Sequence, residues 1–301
     1  HDVAAERLGK EAALSVSSGT MGNLLGILVS ARSGQEIIAD ADSHTFLAET
    51  GGAAALGGIQ IMPVKTEAGI MTPEQIAEAI RVEDVHHPRT AAVALEDTHN
   101  YHGGIAWPLS QLRAAADEAH RQGLSVHLDG ARLFNAAIAT KTDPKEIAAC
   151  ADTVTFCLSK GLGAPVGSVL LGPAEKIAEA KRWRKMLGGG MREIGMLGAA
   201  GLYALDQMVD RLAEDHANAR TLAEGLAEMD GVSIDLARVQ TNLVIFELER
   251  MAPDAFIAEC ERRGVKGAMV SRRHVRFVTH YGVDAADIQE TLKVAADVRA
   301  S

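Results

Sequence analysis

The chain has 301 residues, 47% of them hydrophobic, enough to bury one large core beside a smaller one, and a formal charge of -10. With no basic stripe to offset that charge, nucleic acid and anionic membrane surfaces are excluded as main partners, and no apolar run reaches membrane-spanning length. Cys150, Cys157 and Cys260 are odd in number and lack paired metal-ligand spacing, so they read as reduced thiols of a cytoplasmic protein with no metal site.

The chain opens at His1 in what reads as mid-helix, so a preceding segment is expected; residues 2–10 form a helix end closed by Gly9. An apolar stretch, residues 11–16, then runs into Ser17, Ser18, Gly19 and Thr20, followed by Gly22, Asn23 and a helical pattern through Leu24, Leu25, Ile27 and Leu28. Free N–H groups at such a helix start, with the Ser18 and Thr20 hydroxyls, suit a phosphate ester, although the same residues also serve as ordinary caps. No GxGxxG follows a strand, so a dinucleotide site lacks its fingerprint.

Residues 36–40 form a short strand whose polar end leads to His44, Phe46 and Glu49. An imidazole just past a strand end can stack on a planar ring or move protons near neutral pH, though singly it is equally a hydrogen-bonded loop histidine. Residues 59–64 give another strand, Thr72 and Pro73 open a helix running to Arg81, and His86 and His87 lie in the loop beyond. The buried strand at residues 91–95 ends in Glu96, Asp97, Thr98, His99 and Asn100, a polar cluster that belongs at a ligand edge. A helix over residues 110–121 leads to a strand ending at Asp129, and this βαβ rhythm predicts a mostly parallel sheet.

Residues 153–158 are β-branched and apolar, stop at Ser159, Lys160 and Gly161, and precede a second apolar run at residues 168–171. A lysine on such a tight connection suits Schiff-base chemistry, because a desolvated ammonium loses its proton more readily and becomes a nucleophile. Asp129 and Lys160, each closing a parallel strand, would project from the same carboxyl edge. An acid and an amine there fit pyridoxal 5'-phosphate (PLP), which needs a carboxylate for its ring nitrogen and a lysine for its aldehyde. Arg132 offers a guanidinium beside the ring. The plainer alternatives are a surface lysine and an Asp-Gly turn with a solvated arginine.

A basic helix over residues 175–185 reaches Gly188, Gly189, Gly190 and then Arg192, and residues 198–229 read as one long hinge helix. Strand, helix, strand and final helix alternate beyond residue 242, giving a large domain at residues 1–210 and a small α/β domain at 211–301. Arg276, inside the last strand, could clamp a substrate carboxylate or reach solvent from the open face.

With SSGTMGN at residues 17–23, DSHTF with Glu49, EDTHN at 96–100, HLDGARLFNA at 127–136, LSKGLGAPVGS at 158–168, RWRKMLGGGMRE at 182–193 and VRFVTH at 275–280, the chain resembles the L-threonine aldolase family. The resemblance implies a fold-type-I PLP enzyme, α/β with a mostly parallel sheet in the large domain. It implies a homotetramer with active sites shared between subunits, cleaving L-threonine, L-allo-threonine and related β-hydroxy-α-amino acids to glycine and an aldehyde. It assigns Lys160 to the covalent link with the cofactor, Asp129 to the ring nitrogen, Arg132 to the ring hydroxyl side and His44 to stacking on the ring. Gly19 and Thr20 match the phosphate cup, with Arg192 reaching it across a subunit interface; Arg276 matches the substrate-carboxylate arginine. His86 matches a second histidine near the substrate hydroxyl, Lys185 approaches the site, and His44 or His86 handles the hydroxyl proton. The family's LRSDT-like N-terminal segment is absent, EDTHN replaces ENTHN, and Pro88 follows the histidine pair. The alternatives are an aminotransferase or β-eliminating lyase on the same fold, or a non-catalytic binding protein, against which Lys160, Asp129 and Arg276 together speak.

Overall fold

The computed structural model describes residues 1–300, which build two sheets. After α1 (Asp2–Leu8), the larger sheet is laid down by β1 (Ala12–Val16), β2 (Glu36–Asp40), β3 (Gln60–Val64), β4 (Thr90–Glu96), β5 (Ser125–Asp129), β6 (Thr153–Cys157) and β7 (Ser168–Gly172). Helices fill the intervals. α2 (Gly19–Leu28) follows β1, α3 (His44–Leu47) and α4 (Gly52–Gly57) follow β2, and α5 (Pro73–Ala79) follows β3. α6 (Leu109–Arg121) follows β4, α7 (Leu133–Thr140) and α8 (Pro144–Ala149) follow β5, and α9 (Ala174–Met186) follows β7.

The strand order is β1-β7-β6-β5-β4-β2-β3, parallel from β6 to β3, with β7 antiparallel to both of its neighbours. Only residues 158–167 join β6 to β7, too short for the crossover that a parallel pair needs. β2, β6 and β7 are buried along their whole length, which is why their sequences read as continuous apolar runs rather than alternations.

Three glycines seat α2 on this sheet. A Cβ on Gly19 would lie 2.9 Å from Cys157 Sγ, one on Gly22 2.5 Å from Thr155 Cγ2, and one on Gly26 2.2 Å from His127 Cε1. Their spacing puts all three on one helix face, so α2 lies against β5 and β6 with its N-terminus at the carboxyl end of β6.

Beyond α9, α10 (Gly195–Gln207) and α11 (Leu212–Ala227) replace the single helix expected over residues 198–229. The chain turns between them at Met208 and Val209, both buried in the large core. α11 starts in that core at Leu212 and ends in a second one through Ala219, Leu222 and Leu226. The second sheet is antiparallel, in the order β10-β11-β9-β8, from β8 (Val232–Ser233), β9 (Leu243–Leu248), β10 (Ala268–Met269) and β11 (His274–Val278). Phe246, Phe256 and Phe277 fill its core beneath α12 (Pro253–Arg262) and α13 (Ala285–Ala300). Among the described residues no helix is long and apolar enough to cross a membrane.

Candidate active site

The carboxyl ends of β4, β5 and β6 stand in register, Glu96 beside Asp129 and Asp129 beside Thr155. Lys160 follows three residues after β6, on a turn closed by the Gly163 N–H donating to the Lys160 carbonyl at 2.9 Å. Its side chain is exposed.

Asp129 is buried and held at both oxygens: Oδ2 accepts from Asn23 Nδ2 at 2.7 Å and Oδ1 from the Ala131 N–H at 3.0 Å. The same Asn23 amide donates to Glu49 Oε1 at 2.8 Å, and that oxygen lies 2.9 Å from His44 Nδ1. The carboxylate hydrogen bond raises the pKa of His44 against the opposing pull of burial, and burial raises that of Glu49, so the pair keeps a proton to higher pH than either group alone. Glu96 ties α3 to the loop after β4, accepting from the His44 N–H at 2.7 Å and the Asn100 N–H at 2.8 Å.

Behind Asn23 sits His127, fully buried on β5, with Nδ1 2.9 Å from Thr153 Oγ1 and Nε2 3.3 Å from Asn23 Oδ1. Burial pushes its pKa down to about 4, so it is neutral at physiological pH. Asn23 and His127 are absent from the site that sequence reasoning assembles. A polar residue beside the glycine face of α2, and another between Val126 and Leu128, were the signals available.

On the far side of the edge, two guanidiniums converge. Arg132 Nη1 and Arg276 Nη1 both donate to Asn100 Oδ1, at 3.1 and 3.0 Å, although Arg132 follows β5 and Arg276 lies on β11 of the other sheet. Arg276 Nε is buried with no hydrogen-bond partner among the described residues. Burial, and then the charge of Arg276, lowers the pKa of Arg132. Two arginines sharing one neutral acceptor form a ready carboxylate site.

At the start of α2, Ser18 Oγ accepts from the Met21 N–H at 3.1 Å, a true N-cap, while helix geometry leaves the N–H groups of Gly19 and Thr20 without intrahelical partners. The glycine triplet packs here: a Cβ on Gly189 would lie 2.6 Å from Met21 Sδ. Lys185 and Arg192, flanking that triplet, are exposed. His86 is not brought to this cluster within one chain. It is exposed in the loop before β4, 2.5 Å from Asp84, whereas the site lies past the other end of β4, roughly 20 Å along the strand.

The donor set matches what PLP presents: helix-end N–H groups for its phosphate, a lysine for its aldehyde, a buried carboxylate for its ring nitrogen and an imidazole to lie against its ring. Fold and site together define a fold-type-I PLP enzyme. The threonine aldolase of Leishmania major superposes with a TM-score of 0.83 at 21% identity, covering 98% of this chain and 87% of that one. A serine palmitoyltransferase structure that holds PLP gives a TM-score of 0.78 at 20% identity, covering 99% of this chain and 74% of that one. The chain belongs to the beta-eliminating lyase family, whose model matches residues 1–249. It is 42% identical over 301 residues to the low specificity L-threonine aldolase of Escherichia coli K12, covering 99% of this chain and 87% of that protein.

Proposed function

We propose that this protein cleaves L-threonine, L-allo-threonine and related β-hydroxy-α-amino acids to glycine and an aldehyde, with PLP at the edge formed by β4, β5 and β6. The observation that carries the reading is the meeting of Arg132 and Arg276 on one oxygen of Asn100, at the edge where Asp129 ends β5 and Lys160 follows β6. When bound, PLP supplies an electron sink for the pair of electrons left by the breaking Cα–Cβ bond.

The chain's own residues do the rest. Lys160 offers the amine that anchors the cofactor, Ser18, Gly19 and Thr20 hold its phosphate, and Asp129 faces its ring nitrogen. Arg132 flanks the ring hydroxyl side while Arg276 grips the substrate carboxylate and so sets which bond at Cα stands across the ring face. His44 lies over the ring. With Nδ1 engaged by Glu49, its Nε2 is left to take the proton of the β-hydroxyl, which requires the neutral imidazole.

Assembly as a homotetramer, with Arg192 and Lys185 completing a neighbour's site, is supported by their exposure, by the apolar groove that Leu197, Leu202 and Leu205 of α10 line, and by exposed Met196 and Tyr203 on the same helix. His86 can act only from a neighbouring copy. Three unpaired thiols suit work in the cytoplasm. The test mixes PLP-loaded protein with L-threonine and with L-allo-threonine and assays acetaldehyde and glycine together. Equimolar formation supports the aldolase reading; ammonia with a 2-oxo acid instead would assign a β-eliminating lyase.

A further inference from the structure

We propose that Asn23, oriented by His127, is the positioning residue that ties Asp129 and the Glu49–His44 pair into one rigid frame, so that floor and lid of the cofactor site are linked through one amide. The proposal rests on the reading of this edge as a PLP site. Its geometry is an ordered chain of hydrogen bonds whose direction follows from what each group can donate.

Asn23 Nδ2 lies 2.7 Å from Asp129 Oδ2 and 2.8 Å from Glu49 Oε1. Carboxylates accept, so the nitrogen and not the oxygen of the amide faces them, and both of its hydrogens are engaged. The amide oxygen is thereby turned to His127 Nε2 at 3.3 Å, and it can only accept. A neutral imidazole carries one N–H. That hydrogen must be on Nε2, leaving Nδ1 to accept from the Thr153 hydroxyl at 2.9 Å. The reverse tautomer would set His127 Nε2, an acceptor, against the amide oxygen. Turning the amide to suit it would then point that oxygen at two carboxylates.

The direction Thr153 to His127 to Asn23 to Asp129 and Glu49 is therefore the one that satisfies the Asn23 amide and both carboxylates. His127 has no freedom to leave it. Its ring lies on Gly26, where even a Cβ would come within 2.2 Å of Cε1, and both ring nitrogens are engaged. The consequence concerns the cofactor directly. Two buried carboxylates near one another repel, and a donor with two hydrogens between them ties both together without neutralising either.

The test compares cofactor retention in Asn23→Ala and Asn23→Asp with the wild type, by dialysis of PLP-loaded protein followed by visible absorbance across pH 5 to 9. If Asn23 merely fills space, the isosteric Asp is harmless and Ala, which leaves a void, is the damaging change. If it works by donating, Asn23→Asp is the worse of the two, because it adds a third acid where two hydrogens are needed. We expect PLP retention about 10- to 100-fold weaker in Asn23→Asp, the range typical of losing an outer partner of a charged site. It should recover in part as pH falls and the introduced carboxyl regains the one proton that it can donate. Retention in Asn23→Asp equal to wild type, or weakened without recovery at low pH, would overturn the proposal. A readout that needs no variant is the histidine tautomer in the wild type: 15N–1H NMR must place the His127 proton on Nε2, and a proton on Nδ1 alone overturns the chain's direction. Failure of wild-type protein to retain PLP at all would instead refute the site reading on which this rests.

Discussion

Replacing Asn100 by Asp sets stability and substrate affinity in opposition. The amide oxygen accepts from Arg132 Nη1 at 3.1 Å and Arg276 Nη1 at 3.0 Å, which keeps those nitrogens within about 6 Å of one another. Like charges at that separation repel by roughly 3 kcal/mol at an effective dielectric near 20, and a neutral amide offsets only part of this. A carboxylate in its place makes two charge-assisted bonds, each worth about 1.5 to 3 kcal/mol before screening by the solvent that reaches half-buried Arg276. A net gain of about 2 kcal/mol in folding stability follows, and the substrate carboxylate must then displace a built-in competitor at about the same cost. That corresponds to a KM for L-threonine raised about 30-fold, with kcat changed far less. Guanidinium unfolding and steady-state kinetics on the same preparation measure both quantities. An unchanged KM, or a KM that rises while stability falls, would refute the clamp.

Gly26→Ala should lose about 2 to 3 kcal/mol in urea unfolding, because the new Cβ meets His127 Cε1 at 2.2 Å and the ring is bonded at both nitrogens; a loss under about 0.5 kcal/mol would contradict the packing described. Asp97 is fully buried and pushed to about 7 by that burial, so its raised folded-state pKa favours the folded protein below pH 4, and the advantage is lost as pH rises to 7. Asp97→Asn does not titrate, and its stability relative to wild type should therefore grow by on the order of 2 to 4 kcal/mol between pH 4 and pH 8; a pH-independent difference sinks the assignment. Glu49→Gln replaces the carboxylate hydrogen bond that holds the His44 pKa up by a weaker one to a neutral amide, so the acid limb of the pH profile of kcat/KM should move to lower pH, and a limb that stays in place excludes His44 as the base.

The strand ends were legible in the sequence because parallel strands buried on both faces read as apolar runs that stop at a polar residue. Asp40, Asp129 and the turn to Lys160 were found in this way, and they fix the edge on which the site is built. The cross-links were not legible. Asn23 reaches an aspartate 106 residues away, and Asn100 meets Arg276 across 176 residues, so neither partnership leaves a local pattern. His86 shows the opposite limit: a matched motif gives a residue's identity but not which end of a strand, or which copy of the chain, presents it. The break at Met208 and Val209 was hidden for a related reason, since helical periodicity continues through a turn whose two apolar residues both enter the core.

Lys160 is the proposed anchor of PLP at this sheet edge. Borohydride reduction of the PLP-loaded protein, followed by proteolysis and mass mapping, tests it most directly. Anchoring through Lys160 gives a pyridoxyl group on Lys160 alone, loss of the visible band on reduction, and neither signal in Lys160→Ala. A label on Lys185 or another lysine, or a visible band that persists in Lys160→Ala, would contradict it.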